Sequence, residues 1–316
     1  MNTNRRGATG LVVGIDIGGT KVQGVLLGPD DAVLGSVLLP TTRGVEGVVA
    51  TAAKAVRALT DEAQSGRGGA LIDVGIGVPG VVDPANGTVA HAVNLGFPAE
   101  LTPLAQLLSE ELDGARVKME NDLNVAALGA AHVVGGPVDL AFLGLGTGLA
   151  AGLLLDGRLR RGAFGAAGEI GHIQFVADGP MCACGQRGCL ELYASGASLE
   201  ARWPGPCDVP ASAALFAAAS AGDPAAIALR DEFARAVAAA VRILVLTTDV
   251  ARVVLGGGVS ELGAPLRDAV VRALEGPAAG SDFLASMRIG QRVHLAPRGV
   301  PLAAIGAALV GRAVER

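Results

Sequence analysis

His172 is followed by Cys182, Cys184 and Cys189 in the stretch GHIQFVADGPMCACGQRGC. Zinc takes imidazole and thiolate ligands tetrahedrally, so one histidine and three cysteines fill its shell and leave no open position for water. Such an ion is structural. It would hold the loop, and with it the flanking carboxylates Glu169 and Glu191, in fixed places. A loop this short closes around an ion only if some residues adopt positive φ, which Gly185 and Gly188 permit. Three thiols clustered without a metal are the plainer alternative. One His with Cys-x-Cys-Gly-x-x-Gly-Cys is much more specific than a lone cysteine pair.

A second chemistry is suggested by Asp16-Ile17-Gly18-Gly19-Thr20-Lys21, where an apolar run ends in a glycine turn. Backbone amides from Gly18 to Lys21 can approach a polyphosphate there with no side chain in the way, and Asp16 would face the phosphates through Mg²⁺. Taken alone, the segment is equally a hairpin turn. Gly146-Thr147-Gly148 provides a second such turn: Thr147 followed by Gly152 and LLL resembles Thr20 followed by Gly24 and VLL, offset by one residue. Two turns facing one another would clasp one polyphosphate from both sides. No G-x-x-x-x-G-K-[ST] loop occurs. Gly256, Gly257 and Gly258 end another strand pattern, where a nucleoside can lie against bare backbone or the chain simply turns. Gly80, after Pro79, either admits a ligand to the backbone or ends a strand. In ARVKMENDLNVAAL a strand over 116–120 runs into a helix that starts around Asn121 to Asn124. Asp122 there either accepts a proton from a substrate hydroxyl, with Asn121 holding a neighbouring hydroxyl, or acts as the helix N-cap.

The elements that must position these residues alternate between strand and helix. Three short apolar runs, LVVGIDIGG, KVQGVLLG and AVLGSVLLP, form a meander. A helix pattern over 44–64 precedes GRGG at 66–69 and the buried-strand pattern LIDVGIGVPG. The uncharged run from Leu140 to Leu155 is two strands around a turn and too short to span a membrane. Asp223 as N-cap and Pro224 at the first helical position open a long alanine-rich helix. A strand over 292–295 and a helix from Pro301 to Ala313 close the chain.

A chain of 316 residues suits two lobes with a cleft between them. Its net charge of -5 and the lack of a dense Lys/Arg stripe argue against nucleic acid and membrane surfaces as partners. Four cysteines, three placed as metal ligands, leave Cys207 unpaired, which suits a reducing, cytoplasmic setting. The N-terminal MNTNRRGATG does not read as a signal peptide. His91 and His132 have no partner pattern and are expected to be structural.

Taken together, GIDIGGTK, END at Glu120 to Asp122, and Gly-His followed by Cys-x-Cys-Gly-x-x-Gly-Cys-x-Glu from Gly171 to Glu191 closely resemble the ROK family (repressors, open reading frames, kinases). The resemblance runs from about Val12 to about Val310. It implies an α/β, two-lobed actin-like ATPase (ribonuclease H-like) fold with an inter-lobe cleft. One lobe would comprise residues 1–120 with the closing segment 297–316. The other, 121–296, would carry the zinc loop and nucleotide site. It also implies ATP-dependent phosphorylation of a hexose, with glucose favoured over an N-acetylhexosamine or fructose and polyphosphate as an alternative donor. Asp122 would be the base. Gly80, Asn94, Asn121, Glu169, His172 and Glu191 would hold the sugar, and the two turns with Gly256 to Gly258 would hold ATP and Mg²⁺. His172 would give one nitrogen to Zn²⁺ and the other to the sugar. Phe97 stands where family members often carry Trp. Repressor members carry a DNA-binding domain ahead of the first phosphate loop; with about nine residues before the first strand here, a kinase is expected rather than a repressor. A homodimer or homotetramer is the expected assembly.

Overall fold

The computed structural model describes residues 10–64, 73–135, 139–203, 205–206 and 208–312. Cys207, the GRGG stretch at 66–69, Ala313 and the first nine residues lie outside them. The elements run β1 (Val12–Ile17), β2 (Lys21–Leu27), β3 (Val33–Pro40), α1 (Val45–Gln64), β4 (Asp73–Val78), β5 (Val81–Asp83), β6 (Thr88–Ala90), α2 (Leu104–Glu111), β7 (Val117–Asn121) and α3 (Asp122–Val134). They continue with β8 (Leu140–Leu145), β9 (Leu149–Leu155), β10 (Arg158–Leu159), α4 (Glu191–Ala194), α5 (Gly196–Arg202), α6 (Ala211–Ser220), α7 (Pro224–Thr248), β11 (Arg252–Gly256), α8 (Ala264–Ala278), α9 (Asp282–Ser286), β12 (Val293–Leu295) and α10 (Leu302–Arg312).

Two compact units result, the first from the described residues of 1–136, 161–166 and 301–316, the second from those of 137–160 and 167–300. Each is built on a mixed five-stranded sheet, ordered β3-β2-β1-β4-β7 in the first and β10-β9-β8-β11-β12 in the second. The connectivity is the same in both. The first strand sits in the middle, its two successors fold back antiparallel on one side, and the last two run parallel on the other. The echo between Thr20 and Thr147 in the sequence is thereby a repeat of structure, since each lies in the turn between the first and second strands of its sheet.

In the first unit Val13, Ile15 and Ile17 of β1 join Val74, Ile76 and Val78 of β4 in a core with α1 and α2. Alternation puts Gly14 and Gly75 on the opposite face, where α10 packs. A Cβ on Gly75 would meet the Ala307 carbonyl, and one on Gly306 would meet the Val125 carbonyl of α3. The glycines therefore let α10 lie backbone to backbone on the sheet and on α3. For this reason the boundary differs from the one expected after Glu120: α3 packs with α10 in the first unit, to which the segment 161–166 also belongs.

The second unit's core gathers Leu143 and Leu145 of β8 and Val253 and Leu255 of β11 around Phe233, Val237 and Val241 of α7. Asp223 caps α7 as expected, its Oδ1 accepting from the Ala225 and Ala226 amides at 2.8 and 3.0 Å, with Pro224 at the first turn. His91 and His132 are both exposed, and neither imidazole has a hydrogen-bond partner among the described residues, so the expectation that they are satisfied structural histidines does not hold. Phe97 is buried in the first unit's core. None of the described helices is long and apolar enough to cross a membrane.

Candidate functional site

Parallel strands in register bring one set of residues together at the ends of the first sheet. Asp16 pairs with Gly77 across β1 and β4, and Val78 pairs with Asn121 across β4 and β7. Asp16, Gly80, Asn121 and Asp122 thus gather where three strands end, the edge at which parallel sheets present ligand sites. The Gly18 amide closes the first turn on the Lys21 carbonyl at 2.9 Å. Gly19 lies against Asn94, whose carbonyl would be 3.0 Å from a Cβ there, so the glycine turn and the Asn94 loop abut. Gly80 has φ +107°, and a Cβ on it would lie 2.6 Å from the Ala90 carbonyl; its backbone conformation demands glycine.

The N-cap of α3 is Asn121, not Asp122. Asn121 Oδ1 accepts from the Leu123 amide at 3.0 Å and the Asn124 amide at 3.4 Å, while its Nδ2 donates to the Gly80 carbonyl at 3.3 Å. Asp122 occupies the first helical position, with Oδ1 accepting from Leu123 N at 2.9 Å. A carboxylate there is favoured by the helix dipole. The cap's work falls to its neighbour because Asn121 is the residue with extended backbone, φ -64° and ψ 145°.

Behind this pair stands Glu120, a residue to which sequence reasoning gave no role. Its side chain is 2% exposed. Oε1 accepts from the Asn121 amide at 3.0 Å and from Asn124 Nδ2 at 2.9 Å, while Oε2 accepts from Arg161 Nε at 2.6 Å. A buried carboxylate so paired fixes the first turn of α3 from behind. Arg161 is 41 residues away, and no local pattern announces it. Thr41 was missed likewise: its hydroxyl donates to the Gly18 carbonyl at 2.6 Å and its amide to the Thr20 carbonyl at 3.0 Å, fastening the first turn.

Burial, and then the charge of Asp122, push the Asp16 carboxyl from its ordinary 3.8 up to about 7, with Lys21 pulling the other way. Between those values the folded protein holds a proton that the unfolded chain has lost. Stability should therefore fall as pH rises from about 4 to about 7 and level off above, in magnesium-free buffer. Denaturant titrations across that range should show the slope in the wild type and a flatter profile in Asp16→Asn; equal slopes would contradict the assignment.

In the second unit the strand ends repeat the pattern. Gly256 pairs with Gly144 across β11 and β8, which sets Gly256 to Gly258 beside the turn Gly146 to Gly148. The Gly196 amide donates to the Gly146 carbonyl at 2.7 Å and the Ala197 amide to the Thr147 carbonyl at 3.4 Å, so the start of α5 braces the turn through its carbonyls. The three terminal glycines are not alike. A Cβ on Gly256 would strike the Phe142 ring and one on Gly257 the Leu145 backbone, whereas Gly258 faces open space. Close packing requires glycine at the first two, while Gly258 has open space beside it.

The ligand atoms of His172, Cys182, Cys184 and Cys189 lie within 4.8 Å of one another. Cys184 Sγ and Cys189 Sγ are 3.6 Å apart, and Cys182 Sγ is 3.9 Å from His172 Nδ1. Ligands of a tetrahedral zinc with bonds of about 2.0 to 2.3 Å are separated by roughly 3.5 to 3.8 Å, so donor set and spacing both fit that ion. Gly185 and Gly188 have φ of +88° and +69°, as the tight loop requires. Nδ1 is the imidazole nitrogen turned to the thiols, which leaves Nε2 for another partner. Glu191 Oε1 lies 3.1 Å from Cys182 Sγ and 3.7 Å from His172 Nδ1, and its Oε2 would be 3.1 Å from a Cβ on Gly148. Glu191 thereby joins the metal cage to the second glycine turn. Glu169 is exposed three residues before His172. Burial raises the Cys182 thiol to about 12, with a backbone hydrogen bond from Cys184 opposing and the Glu191 carboxylate adding to it. A divalent cation in the cage would reverse that and hold the thiolate.

A family model described as the ROK family matches residues 12–311. A glucokinase from Streptomyces coelicolor is 34% identical over 274 residues, spanning 80% of this chain and 84% of the relative. An N-acetylmannosamine kinase from Vibrio cholerae is 32% identical over 247 residues, spanning 78% and 83%. Among solved structures, a ROK hexokinase from Thermus thermophilus superposes with a TM-score of 0.74 at 34% identity, covering 95% of this chain and 97% of that one. A ROK family glucokinase from Streptomyces griseus, in complex with glucose and AMPPNP, gives a TM-score of 0.72 at 32% identity and covers 96% and 99%.

Proposed function

Because the chain belongs to the ROK family, we propose that it transfers the terminal phosphoryl group of ATP to the 6-hydroxyl of a hexose, glucose in the first place. Its two mixed five-stranded sheets are the actin-like ATPase fold of the ROK structures. The observation that carries the proposal is Asp122 at the first turn of α3, capped by Asn121, clamped from behind by Glu120 and close enough to Asp16 to raise its proton affinity. A base for the substrate hydroxyl and a carboxylate for the phosphate side stand at the ends of β7 and β1, with β4 between them.

Asp122 accepts the hydroxyl proton as the sugar oxygen bonds to the terminal phosphorus, and the bridging oxygen leaves with ADP. Asn94, Asn121, the backbone at Gly80, Glu169, His172 through Nε2 and Glu191 orient the sugar. Gly18, Gly19, Thr20 and Lys21 hold the phosphates, as do Gly146, Thr147 and Gly148, with Gly256, Gly257 and Gly258 against the nucleoside. Asp16 would hold Mg²⁺, which would supply charge screening for the phosphates of bound ATP. The His172 and cysteine cage holds Zn²⁺, which gives the loop rigidity and no chemistry. Catalysis is then mostly positioning.

Glucose is favoured because the S. griseus structure, matched over nearly its whole length, holds glucose with AMPPNP. An N-acetylhexosamine is the second reading, because N-acetylmannosamine kinases are relatives at almost the same identity. A coupled ADP-release assay over hexoses and N-acetylated hexosamines decides between them. Highest kcat/KM on glucose is the expected result, and no turnover on any sugar would overturn the kinase assignment. The same assay on variants tests the roles. Glu169→Gln and Glu191→Gln should each raise the sugar KM by roughly 10- to 100-fold, the loss of a charge-assisted hydrogen bond, with kcat much less affected; an unchanged KM removes the residue from the sugar site. Arg161→Met should lower kcat by about tenfold with the sugar KM nearly constant, since a loosened first turn of α3 misplaces the base. Arg161→Lys should recover part of it. A drop in melting temperature with kcat intact would make the clamp merely structural.

A further inference from the structure

Between α7 and α8 lies a cavity of about 520 Å³ that shares no residue with the site above. That is the size of a small-molecule site. Arg230, Arg235 and Arg242 of α7 and Arg272 of α8 line it, and Asp231 is the only carboxylate on its walls. Asp231 is spent on Arg230, at 2.8 Å. The side chains of Arg235, Arg242 and Arg272 have no hydrogen bond or ion pair among the described residues. Of the nearby carboxylates on the same helices, Glu232 binds Arg202 at 2.6 Å and Asp268 binds Arg267 at 2.9 Å, while Glu275 lines an adjoining cavity that Arg242 also lines, without an ion pair to it.

In a chain of net charge -5 this is a concentration of uncompensated positive charge. Arg235 and Arg242 stand two helical turns apart on one face of α7, with Ala239 between them. Guanidinium groups brought together without counter-charges repel, and an anion offsets that repulsion. The planar fork of each matches two phosphate oxygens at once. The floor is made of alanine carbons from both helices, a surface for carbon rather than for charge. Phe175 lines the cavity as well; its ring is 5.5 Å from that of Tyr193, edge-on, and its amide donates to the Gly188 carbonyl at 2.7 Å.

We propose that this groove binds a small organic phosphate, with its phosphoryl groups on Arg235, Arg242 and Arg272 and its carbon body against the alanine floor and Phe175. Two sources share that chemistry, a sugar phosphate and a nucleotide. Calorimetric titration of the full chain with a hexose 6-phosphate and, separately, with ADP tells them apart. One of the two should show a site in the wild type that Arg235→Gln/Arg242→Gln weakens by about tenfold or more, as loss of charge-assisted hydrogen bonds requires. Arg272→Gln, on the other helix, should weaken the same site independently, and the unphosphorylated hexose should not fill it. Arg235 and Arg272 are exposed and Arg242 is half-buried; all three lie outside the proposed kinase machinery, so kcat without added anion should be unchanged and the comparison is independent of the kinase assignment. Identical isotherms for wild type and both variants would overturn the proposal. So would a change in particle mass by light scattering in the variants with no lost ligand site, which would make the groove a contact between copies of the chain.

Discussion

Asp122→Asn is expected to lower kcat by roughly 10²-fold or more, the loss of a general base, while hexose binding weakens far less. The substitution is a clean one because the α3 cap belongs to Asn121: its bonds to the Leu123 and Asn124 amides do not involve the residue being changed. The new amide oxygen can still accept from Leu123 N, as Asp122 Oδ1 does at 2.9 Å, and can still hydrogen-bond a sugar hydroxyl. A second readout accompanies the first. The Asp122 charge helps to hold the Asp16 carboxyl up near 7, so its removal should lower the Asp16 pKa. Steady-state phosphorylation gives kcat, calorimetry without ATP gives sugar affinity, and carboxyl NMR gives the Asp16 titration. Near wild-type turnover would end the catalytic assignment, whatever the other two show.

The second large effect is expected at the metal cage. Purified protein should carry about one zinc per chain, and Cys184→Ser should lose it. Cys184 is exposed whereas Cys182 and Cys189 are buried, so the change removes a ligand without opening a hole in the core. Without the ion, His172 and Glu191 lose their common anchor, and the sugar KM should rise by roughly 10- to 100-fold, the scale on which support around a metal usually acts. Metal analysis beside kinetics checks both halves. Metal-free wild-type protein with full activity would sink the structural-zinc assignment.

What the sequence alone determined is the chemistry that close neighbours along the chain specify. His172 and the three cysteines that could hold a metal lie in one short loop with Gly185 and Gly188 at positive φ, and a positive φ at a glycine is legible from residue type. The two glycine turns and the Asp223-Pro224 start of α7 are likewise local, and each formed where expected. Only the tertiary structure decided what depends on distant partners. The Glu120 clamp needs Arg161, 41 residues on, and the first turn needs Thr41, 23 residues beyond Gly18. Choosing Asn121 over Asp122 as the cap turned on which residue kept extended backbone at the end of β7, a difference of one position that strand and helix patterns do not resolve. Placing α3 with the first unit rested on its glycine contact with α10 at the far end of the chain. The raised proton affinity of Asp16 and the unpaired arginines between α7 and α8 belong to the same class, because desolvation and charge neighbourhood arise only when the chain is folded.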